Sequence, residues 1–327
     1  MSGPRVAIVI VNWNRYDDTV VCLESLKTLD YENYSVIVVD NASSDESEKE
    51  LRERYPEHTI LQSGSNLGFG GGSNIGIRHA LDNGAGYILL LNSDTRVRPD
   101  LLTNLLRKSE SSGRIGLTGG RIEYMSPRRK IWAYGGAFNV NTGEARHIQN
   151  EKELQSFVPN EPWFLYIPAC LLLVRRQCIE EIGIFSEKYF HLAEDVEFCV
   201  RAQRKGWTLA LDPDAVVFHK GSASLPRFSP LYNYYEQRNR LFVIRQYRIE
   251  RESVCLRLHD ILKILTRLFF TLMAVDRFSH FPRGARSLLF AVFDFFCDRG
   301  GKREDDLRYH TVPSLSERRP RRRKGDL

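Results

Sequence analysis

Three short apolar runs each stop dead at a polar cluster, and the stretches between them carry helical spacing. Val6 to Val11 runs into Asn12-Trp13-Asn14, Val36 to Val39 into Asp40-Asn41, and Ile88 to Leu91 into Asn92-Ser93-Asp94. A shorter strand lies in "HTILQSG". Between the strands, "DDTVVCLESLKTL" sets Val20, Leu23, Leu26 and Leu29 on one side, "ESEKELRERY" reads as a charged helix, and "NIGIRHALDNG" as a helix closed by Gly84. Runs this continuously apolar need cover on both faces, so the alternation predicts an α/β fold with a parallel sheet between two helical layers. In such sheets ligands lie beyond the carboxyl ends of the strands. The topology therefore brings the three polar clusters to one edge.

The chain has 327 residues, enough for one large α/β domain or a domain with an appendage. Val6 to Val11 is too short for a signal peptide, and no run approaches the roughly 18 apolar residues of a spanning helix. Cys22, Cys170, Cys178, Cys199, Cys255 and Cys297 form no CxxC pair and sit among apolar residues, as reduced core cysteines of a cytosolic protein would. From Leu117 to Phe218 the pattern is mixed: "WFLYIPACLLLVRR" is broken by Pro168, a helix starts near Glu194, and "LALDPDAVVFHK" is a strand ending at His219. There is no internal repeat.

Several groups could carry chemistry, and each has a plainer alternative. Asp94 is placed to share a hard divalent cation with substrate phosphates, or to serve as a turn aspartate ahead of Pro99. Asp40 could accept from a base or ribose, or fold back as an Asx turn. The glycine-rich "NLGFGGGSNIGI", Asn66 to Ile77, could let backbone amides approach phosphate, or be a flexible loop; it lacks the dinucleotide fingerprint. Glu194, Asp195 and Glu197 open a helix, where acids cap by default, yet Asp195 could face a cleft as a general base. His219 reads as a metal or diphosphate contact or a strand-end histidine, and "YNYYEQRNR", Tyr232 to Arg240, as a ligand patch or a packed helix face.

In this order, "IVIVNWNR", "VIVVDNASSD", "NLGFGGGSNIGI", "LLLNSD", "AEDVEFCVR" and "VFHKGSAS" resemble the motif series of glycosyltransferase family 2, and "NYYEQRNR" its bacterial rhamnosyltransferase-like branch. The match runs from about Arg5 to Arg245. The resemblance implies a GT-A fold: a Rossmann-like, mostly parallel central sheet flanked by helices. It also implies a nucleotide-diphosphate-sugar donor, a divalent metal (Mg²⁺ or Mn²⁺) and inversion at the anomeric carbon. Carried over by position, it assigns Val11, Asn12, Asn14, Asp40, Asn41, Gly68, Asn74, Asn92 and Ser93 to the nucleotide-sugar, Asp94 and His219 to the metal, and Asp195 to the general base. His191, Glu194, Trp163 and Arg238 are candidate acceptor contacts. The chain departs from the family's DxD motif at Asn92, which lowers local negative charge and leaves metal binding to lean on the donor's phosphates. On the branch resemblance, the expected reaction is rhamnosyl transfer from dTDP-rhamnose to a lipid-linked or polysaccharide acceptor of the cell envelope. A UDP-sugar donor (galactofuranose or N-acetylglucosamine) is the alternative.

The net charge of +6 is uneven: residues 246–327 hold 18 basic and 11 acidic residues, and the rest of the chain is close to neutral. The expected division is a catalytic domain over 1–245, an amphipathic helical extension over 246–300, and a basic, disordered tail over 301–327. Arg257 to Val275 and "ARSLLFAVFDFFCD" supply the apolar helices, which would pack on the body, on a second copy, or on a membrane. Arg318, Arg319, Arg321, Arg322, Arg323 and Lys324 would attract anionic lipid, giving a peripheral enzyme on the cytoplasmic face of the membrane. Nucleic-acid binding is the competing reading of the tail and is not expected. Two other classes compete for the whole chain. A sugar-nucleotide nucleotidyltransferase would carry a glycine-rich basic loop after the first strand, which "NWNRYDD" lacks. A non-catalytic glycan- or nucleotide-binding module would not need both Asp94 and Asp195.

Overall fold

The computed structural model describes residues 3–126, 130–221, 229–248 and 281–303. Its first part is the expected alternation: β1 (Val6–Asn12), α1 (Tyr16–Leu26), β2 (Tyr34–Asp40), α2 (Ser47–Arg54), β3 (Thr59–Gln62), α3 (Gly68–Asp82) and β4 (Tyr87–Asn92). The four strands run parallel in the order β3-β2-β1-β4. Their side chains alternate between two cores. Ala7, Val9, Ile37 and Val39 pack with α3, whereas Val6, Ile8, Ile10, Val36 and Val38 pack with α1 and α2. Each such side chain is worth about 1.5–3 kcal/mol when buried, which is why the runs read as unbroken apolar stretches.

The glycine-rich stretch is helical and not the flexible loop of the plainer alternative. Apart from Asn66 and the N-cap Leu67, it is the opening of α3. A Cβ on Gly76 would lie 2.4 Å from Cγ1 of Val9, and one on Gly72 2.9 Å from Cγ1 of Val11. Glycine there lets α3 lie closer to β1 than any side chain would allow.

The second part makes the sheet mixed. β5 (Thr95–Val97) and α4 (Leu101–Glu110) precede β6 (Ile115–Tyr124), β7 (Ile131–Ala133), β8 (Gly135–Asn139), β9 (Ala145–Ile148), α5 (Glu151–Ser156) and β10 (Trp163–Tyr166). Then come β11 (Leu171–Arg175), α6 (Arg176–Ile182), α7 (Glu194–Arg204), β12 (Thr208–His219) and α8 (Pro230–Tyr247). The large sheet runs β3-β2-β1-β4-β11-β6-β12-β5, with β7 beside β6. β11 inserts antiparallel to both β4 and β6, while β12 lies parallel to β6. The broken apolar run explains the reversal. "WFLY" joins a separate three-stranded sheet with β8 and β9, the chain turns at Pro168, and "LLLVR" returns along β4.

α9 (Phe281–Phe296) packs on α8. Ser287, Leu288, Ala291 and Asp294 are buried against it, and the Tyr234 hydroxyl donates to Asp294 Oδ2 at 2.6 Å. Arg257 to Val275, Cys255 and the run from Arg318 lie outside the described residues. Cys22, Cys170, Cys178 and Cys199 are buried free thiols as expected, but Cys297 is exposed, because it follows α9 where the helix meets solvent. Among the described residues no helix is long and apolar enough to cross a membrane.

Candidate active site

The strand ends meet at a cleft of about 340 Å³. Val11 and Trp13 arrive from β1, Asn41 from β2, and Asn92, Ser93 and Asp94 from β4. Pro168 to Cys170 come from the turn before β11, Glu194 and Asp195 from the start of α7, and His219 from the end of β12. Asp94 and Asp195 thus share one cavity.

At one end, Asp94 Oδ1 lies 3.1 Å from His219 Nε2, and Asn92 Nδ2 lies 3.4 Å from the same nitrogen. That nitrogen donates to Asp94 or accepts from Asn92 according to its tautomer. Burial by itself would raise the Asp94 carboxyl. The hydrogen bond and charge of His219 outweigh it, aided by Arg15, and hold the group below the usual carboxylate range. His219 Nδ1 is buried without a hydrogen-bond partner, and the Trp132 ring packs edge-on against the imidazole, 5.2 Å between centroids. Among the described residues no group of three or more His, Cys, Asp or Glu is placed to hold a metal ion. A hard cation held here would have one carboxylate and one imidazole from the protein and would take its remaining ligands from phosphate oxygens and water. That is the ordinary manner of Mg²⁺ at phosphate sites, so the residues fit such an ion.

At the other end, Asp195 is fixed by backbone donors. Its Oδ2 accepts from Ala169 N at 3.2 Å and its Oδ1 from Val196 N at 2.8 Å. Burial raises its pKa, and burial with the adjacent Asp195 charge raises that of Glu194 further. Glu194 is 7% exposed, and its Oε2 has no partner. Glu194 is therefore held protonated beyond the normal carboxylate range. His191, also in the wall, has its imidazole pushed down to about 4 by desolvation.

The turn leading into α7 is strained. Leu192 and Ala193 both hold left-handed backbone, φ 68° and 66°, at a cost of order 1–3 kcal/mol each. Asn239 of α8 restrains it by donating from one amide nitrogen to the carbonyls of His191 and Leu192, both at 2.8 Å.

The structure turns six of the expected site residues away from the cleft. Asn12 and Asp40 are fully buried and spend their polar atoms on the protein. Asn12 Nδ2 donates to Asp40 Oδ2 at 2.8 Å and Asn12 Oδ1 accepts from Thr19, while Asp40 Oδ1 accepts from Ser43 N and Gln62 Nε2. Asp40 is the Asx-type tie of the plainer alternative. Asn14 joins the loops after β1 and β2 through Ser43 and Ser44. Asn74 pairs both of its amide groups with the Phe185 backbone, each at 3.0 Å. Trp163 lies in the small sheet opposite Asn139, under the Arg146 guanidinium. Arg238 is 1% exposed, bonded to the Tyr234 hydroxyl and Asn239 Oδ1, with its guanidinium 5.0 Å from the rings of Tyr234 and Tyr235. It braces α8 and is not among the residues lining the cleft. Val11, Asn41, Gly68, Asn92, Ser93, His191 and Glu194 do line the cleft.

Trp13, Arg15 and Trp132 also line it. Arg15 stood in the quoted "NWNR" and its charge is the signal that could have found it. Trp132 carries no local signal, since β7 reaches the cleft only by pairing with β6.

Comparison with known proteins agrees with this architecture. The Glycosyl transferase family 2 model matches residues 7–182. The N-acetylglucosaminyl-diphospho-decaprenol L-rhamnosyltransferase of Mycobacterium tuberculosis is 26% identical over 234 residues, 63% of this chain and 72% of the relative. The dTDP-rhamnosyl transferase of Shigella flexneri is 25% identical over 287 residues, 82% and 90% of the two chains. A mannosyltransferase from Pyrobaculum calidifontis, solved with GDP-Man and Mn²⁺, superposes with a TM-score of 0.57 at 16% identity, covering 90% of this chain and 88% of its own. With its mixed α/β sheet, its GT-A structural neighbours and more than half of its length matched, the chain belongs to glycosyltransferase family 2.

Proposed function

We propose that this chain is an inverting, metal-dependent transferase that moves L-rhamnose from dTDP-rhamnose to a lipid-linked or polysaccharide acceptor. The observation that carries the reaction type is the pairing, in one cleft, of the Asp94–His219 end with the backbone-held Asp195 carboxylate. The sugar rests on the names of the two bacterial relatives.

In this reading the diphosphate of the donor lies at Asp94, His219 and Arg15. Asp94 and His219 would hold a divalent cation there, and the chemistry it would supply is charge neutralisation of the departing diphosphate. Asp94 keeps its negative charge despite burial, because His219 stabilises the ionised form. Asp195 accepts the proton of the acceptor hydroxyl as that oxygen attacks the anomeric carbon from the face opposite the diphosphate. The two N–H groups of Ala169 and Val196 fix its orientation, and its raised pKa makes it a better base than an exposed aspartate. The strained, clamped turn at Leu192 and Ala193 holds the start of α7, and with it Asp195, in place. Such a reaction suits a cytoplasmic enzyme working at a membrane surface, as a monomer or a homodimer.

Thermal-shift screening against dTDP-, UDP- and GDP-sugars with Mn²⁺ tests the donor, with dTDP-rhamnose expected to give the largest shift. Product analysis by NMR tests inversion. A shift confined to UDP- or GDP-sugars, or a retained anomeric configuration, refutes the corresponding part of the reading.

A further inference from the structure

Among the described residues, the protein body covers one face of α9 and leaves an apolar stripe on the other uncovered. Ser287, Leu288, Ala291 and Asp294 turn inward onto α8. Leu289, Phe293 and Phe296 are 72%, 53% and 70% exposed. At 3.6 residues per turn these three fall within an arc of roughly 60°, opposite the inward face. A contiguous apolar stripe on a helix is normally buried against another surface, so this stripe calls for a partner.

Charge and continuity identify the partner. Arg299, 66% exposed, holds its guanidinium 5.5 Å from the Phe293 ring, at the edge of the stripe. Lys302 is exposed just beyond it. Residues 301–327 follow directly and hold nine basic and five acidic residues. An apolar stripe rimmed by cations and continued by a basic segment matches the two-signal logic of anionic bilayer binding. The inner face, meanwhile, is one layer from the cleft: Tyr235 packs with Ala291 of α9 and also lines the cavity, beside Phe190, Leu192 and Leu231.

We infer that the Leu289–Phe293–Phe296 face of α9 docks on an anionic lipid bilayer and sets the cleft about one helix diameter, ~10 Å, from the headgroups. An acceptor sugar tethered to a lipid would enter the cleft without leaving its membrane. The lipid-linked acceptor rests on the function proposed above; the docking face does not.

The test is flotation of the full chain with vesicles of phosphatidylcholine, with or without phosphatidylglycerol, at low and high salt. The wild-type protein, the variant Phe293→Ser/Phe296→Ser, and Arg299→Glu are compared. Donor-induced thermal shift and solution mass are measured on each sample. The expected result is salt-sensitive flotation of the wild type with anionic vesicles only. The double variant should lose roughly tenfold or more in vesicle partition with unchanged melting, and Arg299→Glu severalfold with melting slightly lowered, because its ion pair with Asp294 at 3.9 Å is lost; the donor shift should be unchanged in both. Because Phe293 and Phe296 face solvent, melting of the double variant within a degree or two of wild type shows that folding is intact, and Arg299→Glu tests the face without touching an apolar residue. A wild type that stays at the bottom while responding to donor overturns the docking face and leaves the proposed function standing. Variants that float like wild type also overturn it. So does a wild-type dimer that the double variant converts to monomer without any vesicle binding, which makes the stripe an interface between copies. Flotation as expected with no response to any nucleotide-sugar supports the docking face and overturns the proposed function.

Discussion

Replacing Asp195 with asparagine separates its chemical role from its structural one. The change keeps size and shape. An amide retains one acceptor oxygen, so of the two backbone donors that hold the carboxylate, the closer Val196 N at 2.8 Å can keep its partner and Ala169 N at 3.2 Å loses one. A lost hydrogen bond of this kind costs about 1 kcal/mol, somewhat more when the acceptor was charged. Against that, the substitution removes a buried charge whose desolvation raised its own pKa and whose field raised that of Glu194. The two effects oppose each other, so the melting temperature should stay within about 4 °C of wild type. Loss of a general base, by contrast, lowers the rate by about 10²- to 10⁴-fold, or ~3–5 kcal/mol in the barrier. The assay is the initial rate of nucleotide release with acceptor present, alongside donor-induced thermal shift. Expected are a collapse of kcat, an intact donor shift and near-native melting. Turnover within tenfold of wild type refutes the base assignment. A melting temperature that falls far below wild type refutes the balance of terms and makes Asp195 a structural residue.

Three further outcomes follow from the same geometry. Glu194 has a raised pKa in the folded state, so its favourable contribution is complete below the ordinary carboxylate range and is lost as pH rises through its folded value; Glu194→Gln cannot ionise, and its melting temperature should gain on wild type as pH increases. Asp94→Asn should lower transfer by about a hundredfold or more and remove the Mn²⁺-dependent part of the donor thermal shift, read by titrating the metal with and without nucleotide. Asn239→Ala deletes two hydrogen bonds to the strained turn, about 2 kcal/mol in all, and should lower the melting temperature by about 5 °C while reducing kcat more than it changes KM.

How far the sequence could be read depended on the range of the interaction. Strand ends and helix starts are local, so Asp94 at the end of β4, His219 at the end of β12 and Asp195 in the first turn of α7 were all legible from apolar runs and their polar terminators. Strand direction is not local. Periodicity marks Leu171 to Val174 as buried, but only the turn at Pro168 and the pairing with Leu91 decide that β11 runs antiparallel. Side-chain direction at strand ends is equally remote: Asp40 looks like a ligand contact until Asn12, Ser43 and Gln62 converge on it from three segments. Arg238 misled for a related reason. A guanidinium in an aromatic-rich motif suggests a ligand, yet here the rings of Tyr234 and Tyr235 and the Tyr234 hydroxyl enclose it inside α8's own packing.

The junction of β4 and β11 has a consequence for how such a molecule can diversify. Leu91 pairs with Leu171, Asn92 N donates to Cys170 O at 3.3 Å, and the next residue back, Ala169, donates to Asp195. Asp94 lies two residues beyond Asn92 on the other strand. The two carboxylates are thus gauged against each other by a ladder of peptide groups, whose spacing no side-chain substitution alters. Descendants of this scaffold are free to exchange Trp13, Trp132 or Phe190 in the cleft wall, while the backbone spacing between Asp94 and Asp195 is inherited.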